Sequence, residues 1–354
     1  MKFIHTADLH LGASMRAHLD PSAAEKRRGE LLHVFGRIAE KARCEGAAVL
    51  IAGDLFDTDT PGKQTRDYVM DTVASLPDVA FLCLSGNHDA GFFSAAAERP
   101  RNLYLFGEEW GRVEFDECDV YGACPAGSPD YEALQPDPSR KNIVLLHGAL
   151  RTGGRAAPGE IVLSRLAGKA IDYLALGHYH AYTEGKLDER GRYAYAGCPE
   201  GRGFDECGLH GIVLLDTEGD GITSRFLAFA ERTLHSVTVD VTGAKGMRDI
   251  ELAARRALSG IPATDMAELI LRGNLPGDFC RNIPFLQELL SGLYFFASVK
   301  DETRLLLDPE TWKNDKSLKG EFIRRVLASG LSEEKRDAIL EAGLSALRGE
   351  VTGL

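Results

Sequence analysis

The chain has 354 residues, 44% of them hydrophobic, and a formal net charge of −12. That length holds a catalytic domain plus something smaller, and the composition excludes wholesale disorder. The acidic balance argues against a protein that grips nucleic acid by surface basicity alone, so a polyanionic substrate would need a metal centre or a partner to attract it. No apolar run reaches the roughly 18–20 residues of a membrane span. His5, Asp8 and His10 stand where a secretory signal would be apolar, so a cytoplasmic location is expected. Seven scattered cysteines without a C-x-x-C pair disfavour a disulfide framework or a thiolate zinc site.

In chain order, residues 2–7 read as a short apolar strand. Residues 25–43 place Leu31, Leu32, Phe35, Ile38, Ala39 and Ala42 on one helical stripe. Residues 47–52 read as a second buried strand, 63–76 as a helix and 79–84 as a third strand. Residues 143–146 and 173–176 repeat the strand pattern. The alternation predicts a layered α/β core. Residues 113–121, 193–196, 211–216 and 222–229 read as antiparallel strands, and 123–140 and 152–159 as loops. The pattern changes near Glu231. Strands at 237–241, 266–271 and 294–299 alternate with helices at 247–259 and 282–291, and two amphipathic helices end the chain.

Five motifs close these strands. Asp8 and His10 (TADLHLG) lie at i and i+2, which share a face in an extended chain, so both can reach one metal. Gly53-Asp54 follows the second strand. The glycine permits a sharp turn, and the two carboxylate oxygens can bridge two cations. In Ser85-Gly86-Asn87-His88-Asp89, Asn87 offers a neutral oxygen and His88 a transferable proton. Asp89 would hold that imidazole in one tautomer. His147 ends IVLLH, and His178 and His180 close YLAL at spacing i, i+2. Alone, each has a bland reading as a cap, a polar turn or a structural histidine. All five fall at strand C-termini, where open α/β sheets form their ligand crevice. The ligand set is therefore Asp8, His10, Asp54, Asn87, His147, His178 and His180, with His88 and Asp89 as the catalytic pair. A set of oxygen and nitrogen donors suits manganese, iron, zinc or a similar ion. His5, His18, His33, His210 and His235 lack such context and read as structural or exposed.

The order D-x-H, G-D, G-N-H-D, H, G-H-x-H over residues 8–180 resembles the calcineurin-like metallophosphoesterases. FIHTADLHLG, AGDLFDT and YAGCPEGRGFDE resemble the DNA-repair exonuclease branch of that family, the SbcD- and YhaO-type nuclease subunits, with Cys198 in place of a serine. The resemblance implies a layered β-sandwich flanked by helices, with a nuclease domain over 1–231. A small α/β capping domain would follow over 232–305, and a helical tail over 306–354. It implies two divalent ions, manganese first, with magnesium, iron and zinc as alternatives. One would be held by Asp8, His10, Asp54 and His180, the other by Asp54, Asn87, His147 and His178. It implies a metal-dependent DNA exonuclease or endonuclease with an SMC-like coiled-coil ATPase partner of the SbcC or YhaN kind, a homodimer left open and no membrane contact. Asp57 replaces a histidine of the archaeal and eukaryotic relatives, which implies no acid–base role for it. Two rival readings stay open: a nucleotide or cyclic-nucleotide phosphoesterase, and a non-catalytic scaffold, which the intact ligand set disfavours. The tail helices would either pack on the capping domain or dock the ATPase by a helix-in-groove mode.

Overall fold

A computed structural model describes residues 1–15, 19–95, 99–124, 127–153, 157, 159–276, 279–306, 312 and 314–347. His18, parts of the expected loops 123–140 and 152–159, and parts of the expected tail lie outside the described residues. The chain folds as two compact units, Met1–Thr233 and Leu234–Leu354.

The first unit carries two six-stranded sheets. One contains β1 (Lys2–Thr6), β2 (Ala47–Ala52), β3 (Phe81–Leu84) and β4 (Leu103–Leu105), all parallel, with two antiparallel strands, β13 (Gly211–Asp216) and β14 (Thr223–Ala228), beyond β1. The other runs β11-β12-β10-β7-β6-β5: β5 (Gly111–Glu114), β6 (Cys118–Gly122), β7 (Lys141–His147), β10 (Tyr173–Gly177), β11 (Thr183–Lys186) and β12 (Arg192–Tyr195). Phe3, Leu50 and Leu82 of the first sheet share one buried cluster with Val120, Ile143, Leu145 and Tyr173 of the second, so the sheets face each other. The opposite face of β1 and β2 packs Ile4, Val49 and Ile51 against Leu31, Phe35 and Ile38 of α1 (Pro21–Glu45). Burial on both faces is why these strands read as continuous apolar runs.

α1 begins at Pro21, four residues before the expected start at residue 25, because Asp20 and Pro21 start it. The Asp20 carboxylate accepts from the amides of Ser22 and Ala23 at 2.9 and 3.0 Å, and proline needs no partner at that position. Gly46 ends it in the left-handed conformation, φ 61°.

Three expectations need correction. The run 113–121 is a hairpin of β5 and β6, turned at Asp116-Glu117 by a bond from the Phe115 amide to Cys118 O. β12 pairs antiparallel with β11 but parallel with β10, so the 193–196 segment is of mixed type. The short elements α3 (Ala90–Ala95), β4, β8 (Ala149–Arg151), β9 (Glu160–Val162) and β11 were not expected; they are too brief to show a period.

The second unit is a parallel sheet of β15 (Leu234–Asp240), β16 (Met266–Pro276) and β17 (Phe296–Leu306), with crossover helices α4 (Met247–Leu258) and α5 (Ile283–Ser291). Ile250, Leu258, Leu269, Leu271, Leu286 and Leu290 form its core. The terminal helices Leu318–Leu327 and Glu333–Leu347 enclose Ile323, Val326, Leu340 and Leu344 between them, and the second also meets β17. No helix among the described residues is long and apolar enough to cross a membrane.

Candidate metal centre

The five motifs converge at the C-terminal ends of β1, β2, β3, β7 and β10. Gly53 and Gly86 make the convergence sterically possible. A Cβ on Gly53 would lie 2.2 Å from His147 Nδ1, and one on Gly86 would lie 2.0 Å from Asp54 Oδ1. The loops after β1 and β2 are tied together by amide bonds from Asp8 to Gly53 O, His10 to Asp54 O and Leu11 to Leu55 O.

Backbone strain marks the same place. Among the described residues, six non-glycine positions have positive φ, and four are Asp8 (53°), His10 (45°), Asp54 (50°) and His178 (113°). Such conformations cost about 1–3 kcal/mol each and persist where surrounding structure enforces them. They also correct the strand argument. β1 ends at Thr6, so left-handed turns at Asp8 and His10, rather than strand alternation, aim both side chains at one point.

Ligand-type atoms of Asp8, His10 and His180 lie within 4.8 Å of one another, as do those of Asp8, Asp54 and His147. The hydrogen bonds fix what these atoms present. His147 Nδ1 lies 2.9 Å from Ala52 O. A carbonyl only accepts, so Nδ1 carries the hydrogen and Nε2 the lone pair. That lone pair faces Asn87 Oδ1 at 3.1 Å and Asp54 Oδ2 at 3.3 Å. Three acceptors converge only around a proton or a cation.

The second cluster repeats this logic. His10 Nδ1 lies 3.1 Å from Asp57 Oδ1, and His180 Nδ1 lies 2.6 Å from Glu206 Oε1. With both Nδ1 protons given to carboxylates, the two Nε2 lone pairs face each other at 3.3 Å. Carboxylates behind imidazoles are the usual support of metal-ligating histidines. Asp54 lies between the clusters, with Oδ2 also 3.8 Å from His10 Nε2. Clustered oxygen and imidazole donors of this kind suit divalent ions. His178 packs its ring 5.4 Å from that of His147, and its amide donates to both Asp8 oxygens at 3.0 Å.

Burial sets the protonation of the floor. Asp8 is fully buried, which raises its carboxyl to about 6. Burial also opposes ionisation of Asp54. Without an ion, a proton on His147 Nε2 fills the gap between these acceptors. Its hydrogen bond to Asp54 and the nearby imidazoles outweigh burial, bring Asp54 to about 2 and raise His147. Burial lowers His10 and His178, whereas the bond to Glu206 raises His180.

The expected His88–Asp89 bond does not form. The buried Asp89 accepts from the Gly86 and Phe56 amides at 2.8 and 3.1 Å, so it braces the loop and does not orient the imidazole. His88 instead brings Nδ1 to 3.2 Å from the carbonyl of Asp57 and remains exposed at the rim. His5 is buried against Tyr173 at 3.0 Å, His33 pairs with Glu231, and His235 pairs with Asp265. His210 bridges the carbonyls of Cys198 and Glu206 at 3.0 and 2.8 Å, which pins that loop.

A family model described as calcineurin-like phosphoesterase matches residues 1–182. The chain belongs to that family. Relatives include the "DNA double-strand break repair protein Mre11" of Sulfolobus acidocaldarius, 25% identical over 241 residues, 62% of this chain and 61% of the relative. The "Uncharacterized metallophosphoesterase YhaO" of Bacillus subtilis is 25% identical over 78% of this chain and 72% of its own length. A protein of Staphylococcus epidermidis, named as the D subunit of the nuclease SbcCD, is 33% identical over 92 residues, 25% of this chain and 23% of its own. The chain thus matches less than two thirds of the archaeal relative's length.

Around the family's motifs, four charged residues, Arg27, Glu200, Arg202 and Glu206, support the centre from positions that spacing does not reveal. Arg202 donates to Glu206 Oε1 at 2.7 Å and lies 3.5 Å from Asp57 Oδ1, so one guanidinium joins the carboxylates behind His10 and His180. Its loop is held by a buried pair, Arg27 to Glu200 at 2.6 Å, with Arg27 also donating to Gly201 O. Glu200, Arg202 and Glu206 show in the sequence only as part of the segment PEGRGFDE, which does not name their partners, and Arg27 is an unmarked position of the first helix.

Proposed function

We propose that the chain is a two-metal phosphodiesterase acting on DNA as an exonuclease or endonuclease. One observation carries the reading: acceptor atoms from both sheets converge in pairs on either side of Asp54. Asp8, His10, Asp54 and His180 would hold one ion, and Asp54, Asn87, His147 and His178 the other, with manganese as the working metal. When bound, the ions supply Lewis-acid activation of water and charge neutralisation at the phosphoryl oxygens. His88 gives its Nδ1 proton to the Asp57 carbonyl, which leaves Nε2 to face the phosphodiester. Its protonated form would neutralise developing negative charge or protonate the leaving oxygen.

A cavity of about 790 Å³ opens at Asn87, His147 and His178, with Leu105, Phe106 and Ile161 in its apolar wall. A nucleotide fits that volume and that mix of walls. Support for DNA over a small phosphoester comes from the names of the relatives, two of which are called a DNA repair protein and part of a nuclease. The second of these names, that of one subunit of a nuclease, also supports a partner subunit, which this proposal takes to be an SMC-like ATPase. Capping by the second unit and ATPase docking by the terminal helices belong to this proposal. Leu318, Ile339 and Leu347 leave those helices an exposed apolar surface.

The test is digestion of end-labelled single- and double-stranded DNA with Mn²⁺, with EDTA controls, beside a cyclic-nucleotide assay. Shortening of the DNA only with metal is expected. Turnover of the cyclic nucleotide with intact DNA would replace this reading by the small-substrate one.

A further inference from the structure

The metal centre's charge surplus is small. Two divalent ions bring four positive charges, and Asp8 and Asp54 return two. Asp57 and Glu206 return two more, of which Arg202 offsets one. An acidic chain with so slight a surplus needs another feature to hold a polyanion along its length.

Such a feature adjoins the centre. A second groove of about 440 Å³ runs between the edge strands β4 and β5, one from each sheet. It is lined by Arg99, Arg101, Tyr104, Phe106 and Arg112, and no Asp or Glu lines it among the described residues. Three arginines in one lining are notable on a chain with 53 acidic and 41 basic residues. Arg99, Leu105 and Phe106 line both this groove and the cavity at Asn87 and His147, so the two are continuous.

The charges in the groove are unequal. Arg112 is occupied by Asp119 at 2.8 Å and Glu114 at 3.1 Å. Arg99 and Arg101 are exposed and have no ion pair among the described residues. Their loop is nevertheless fixed. The Asn102 amide nitrogen lies 2.9 Å from the carbonyls of Val73, Leu76 and Val79, which seats the segment on the loop after α2 (Lys63–Ala74). Tyr104, on the edge strand β4, is 45% exposed and offers an aromatic face. Basic side chains interleaved with an exposed aromatic on a fixed groove are the chemistry that holds a single strand, phosphates on the cations and a base on the ring.

Resting on the proposed function, we infer that this groove is the track along which single-stranded DNA runs to or from the metal centre. Arg99 and Arg101 contact successive phosphates, and Tyr104 stacks a base.

The experiment measures binding of a fluorescent 20-nucleotide single strand to the full chain in EDTA, across a salt series, so that the metals neither cut nor attract. Loss of two phosphate contacts lowers the log–log salt slope by about 1.4 and weakens binding roughly 20-fold near 0.1 M salt. Arg99→Ala with Arg101→Ala should show both changes, with a melting temperature close to that of the parent, since neither side chain is buried. Arg99→Lys with Arg101→Lys should keep the slope, because the charge remains. Tyr104→Ala should weaken binding about tenfold with the slope unchanged. A parental slope in the double alanine variant would overturn the track while leaving the nuclease reading intact. If the parent chain hydrolyses a small chromogenic diester with Mn²⁺ but neither binds nor cuts the strand, the nuclease reading and the track fail together.

Discussion

Replacing Glu206 by glutamine should weaken one metal ion and spare the other. Glu206 accepts the Nδ1 proton of His180 at 2.6 Å and is held in turn by Arg202 at 2.7 Å. The amide that replaces it has no charge, so it polarises the imidazole less and holds Arg202 less firmly. Removing a partner of this kind behind a ligating histidine costs about 10–100-fold in metal affinity, or about 1.4–2.7 kcal/mol. The loss should be confined to the ion at His10 and His180, because the other histidine cluster is oriented by Ala52 O at 2.9 Å from His147 Nδ1. Calorimetric titration of Mn²⁺ into metal-stripped protein resolves the two events. Two sites of unequal affinity are expected, of which Glu206→Gln shifts one. Equal weakening of both sites, or of neither, would refute the assignment of these carboxylates as supports of a single subsite.

Three further outcomes follow from the same geometry. His88→Ala should retain both ions and lose about 10²–10⁴-fold in turnover, since acid–base groups contribute that much; bound metal and steady-state rates measure the two halves separately. Arg27→Met leaves Glu200 buried without its cation, and such losses cost about 3–5 kcal/mol, so denaturant unfolding should show a large drop in midpoint. In the metal-free protein Asp8 should contribute stability that is lost as pH rises from about 4 to 6, read as the difference between the parent and Asp8→Asn. The difference is needed because buried His5, lowered to about 3, acts in the opposite sense in both. Burial raises Asp8 to about 6 from 3.8, so the folded state binds the proton more tightly than the unfolded one across that window. Mn²⁺ competes with that proton, so the metal-induced rise in melting temperature should be larger at pH 7.5 than at pH 5. A metal-induced rise that did not grow with pH would remove Asp8 from the ligand set.

The sequence made the strand ends legible because β1, β2, β3, β7 and β10 are buried on both faces and their apolar runs stop abruptly at polar ligand-type residues. The way the side chains converge was not legible. Left-handed turns at Asp8 and His10 leave no trace in residue spacing, and an alternation argument reached the same pairing for the wrong reason. Asp89 looked like a partner of its neighbour His88, yet the backbone turns it inward to two amides. Arg27 and Glu200 are 173 positions apart, and the residue order alone carries no sign that a buried arginine in the first helix holds the loop of Arg202.

The central claim is one binuclear centre shared through Asp54. It is tested most directly by elemental analysis of the parent chain and of Asp54→Ala after equilibration with Mn²⁺ and removal of loosely bound ions. Two ions per parent chain and loss of both in the variant are expected, because Asp54 Oδ2 lies 3.3 Å from His147 Nε2 and 3.8 Å from His10 Nε2. One ion in the parent chain, or two retained by Asp54→Ala, would contradict it.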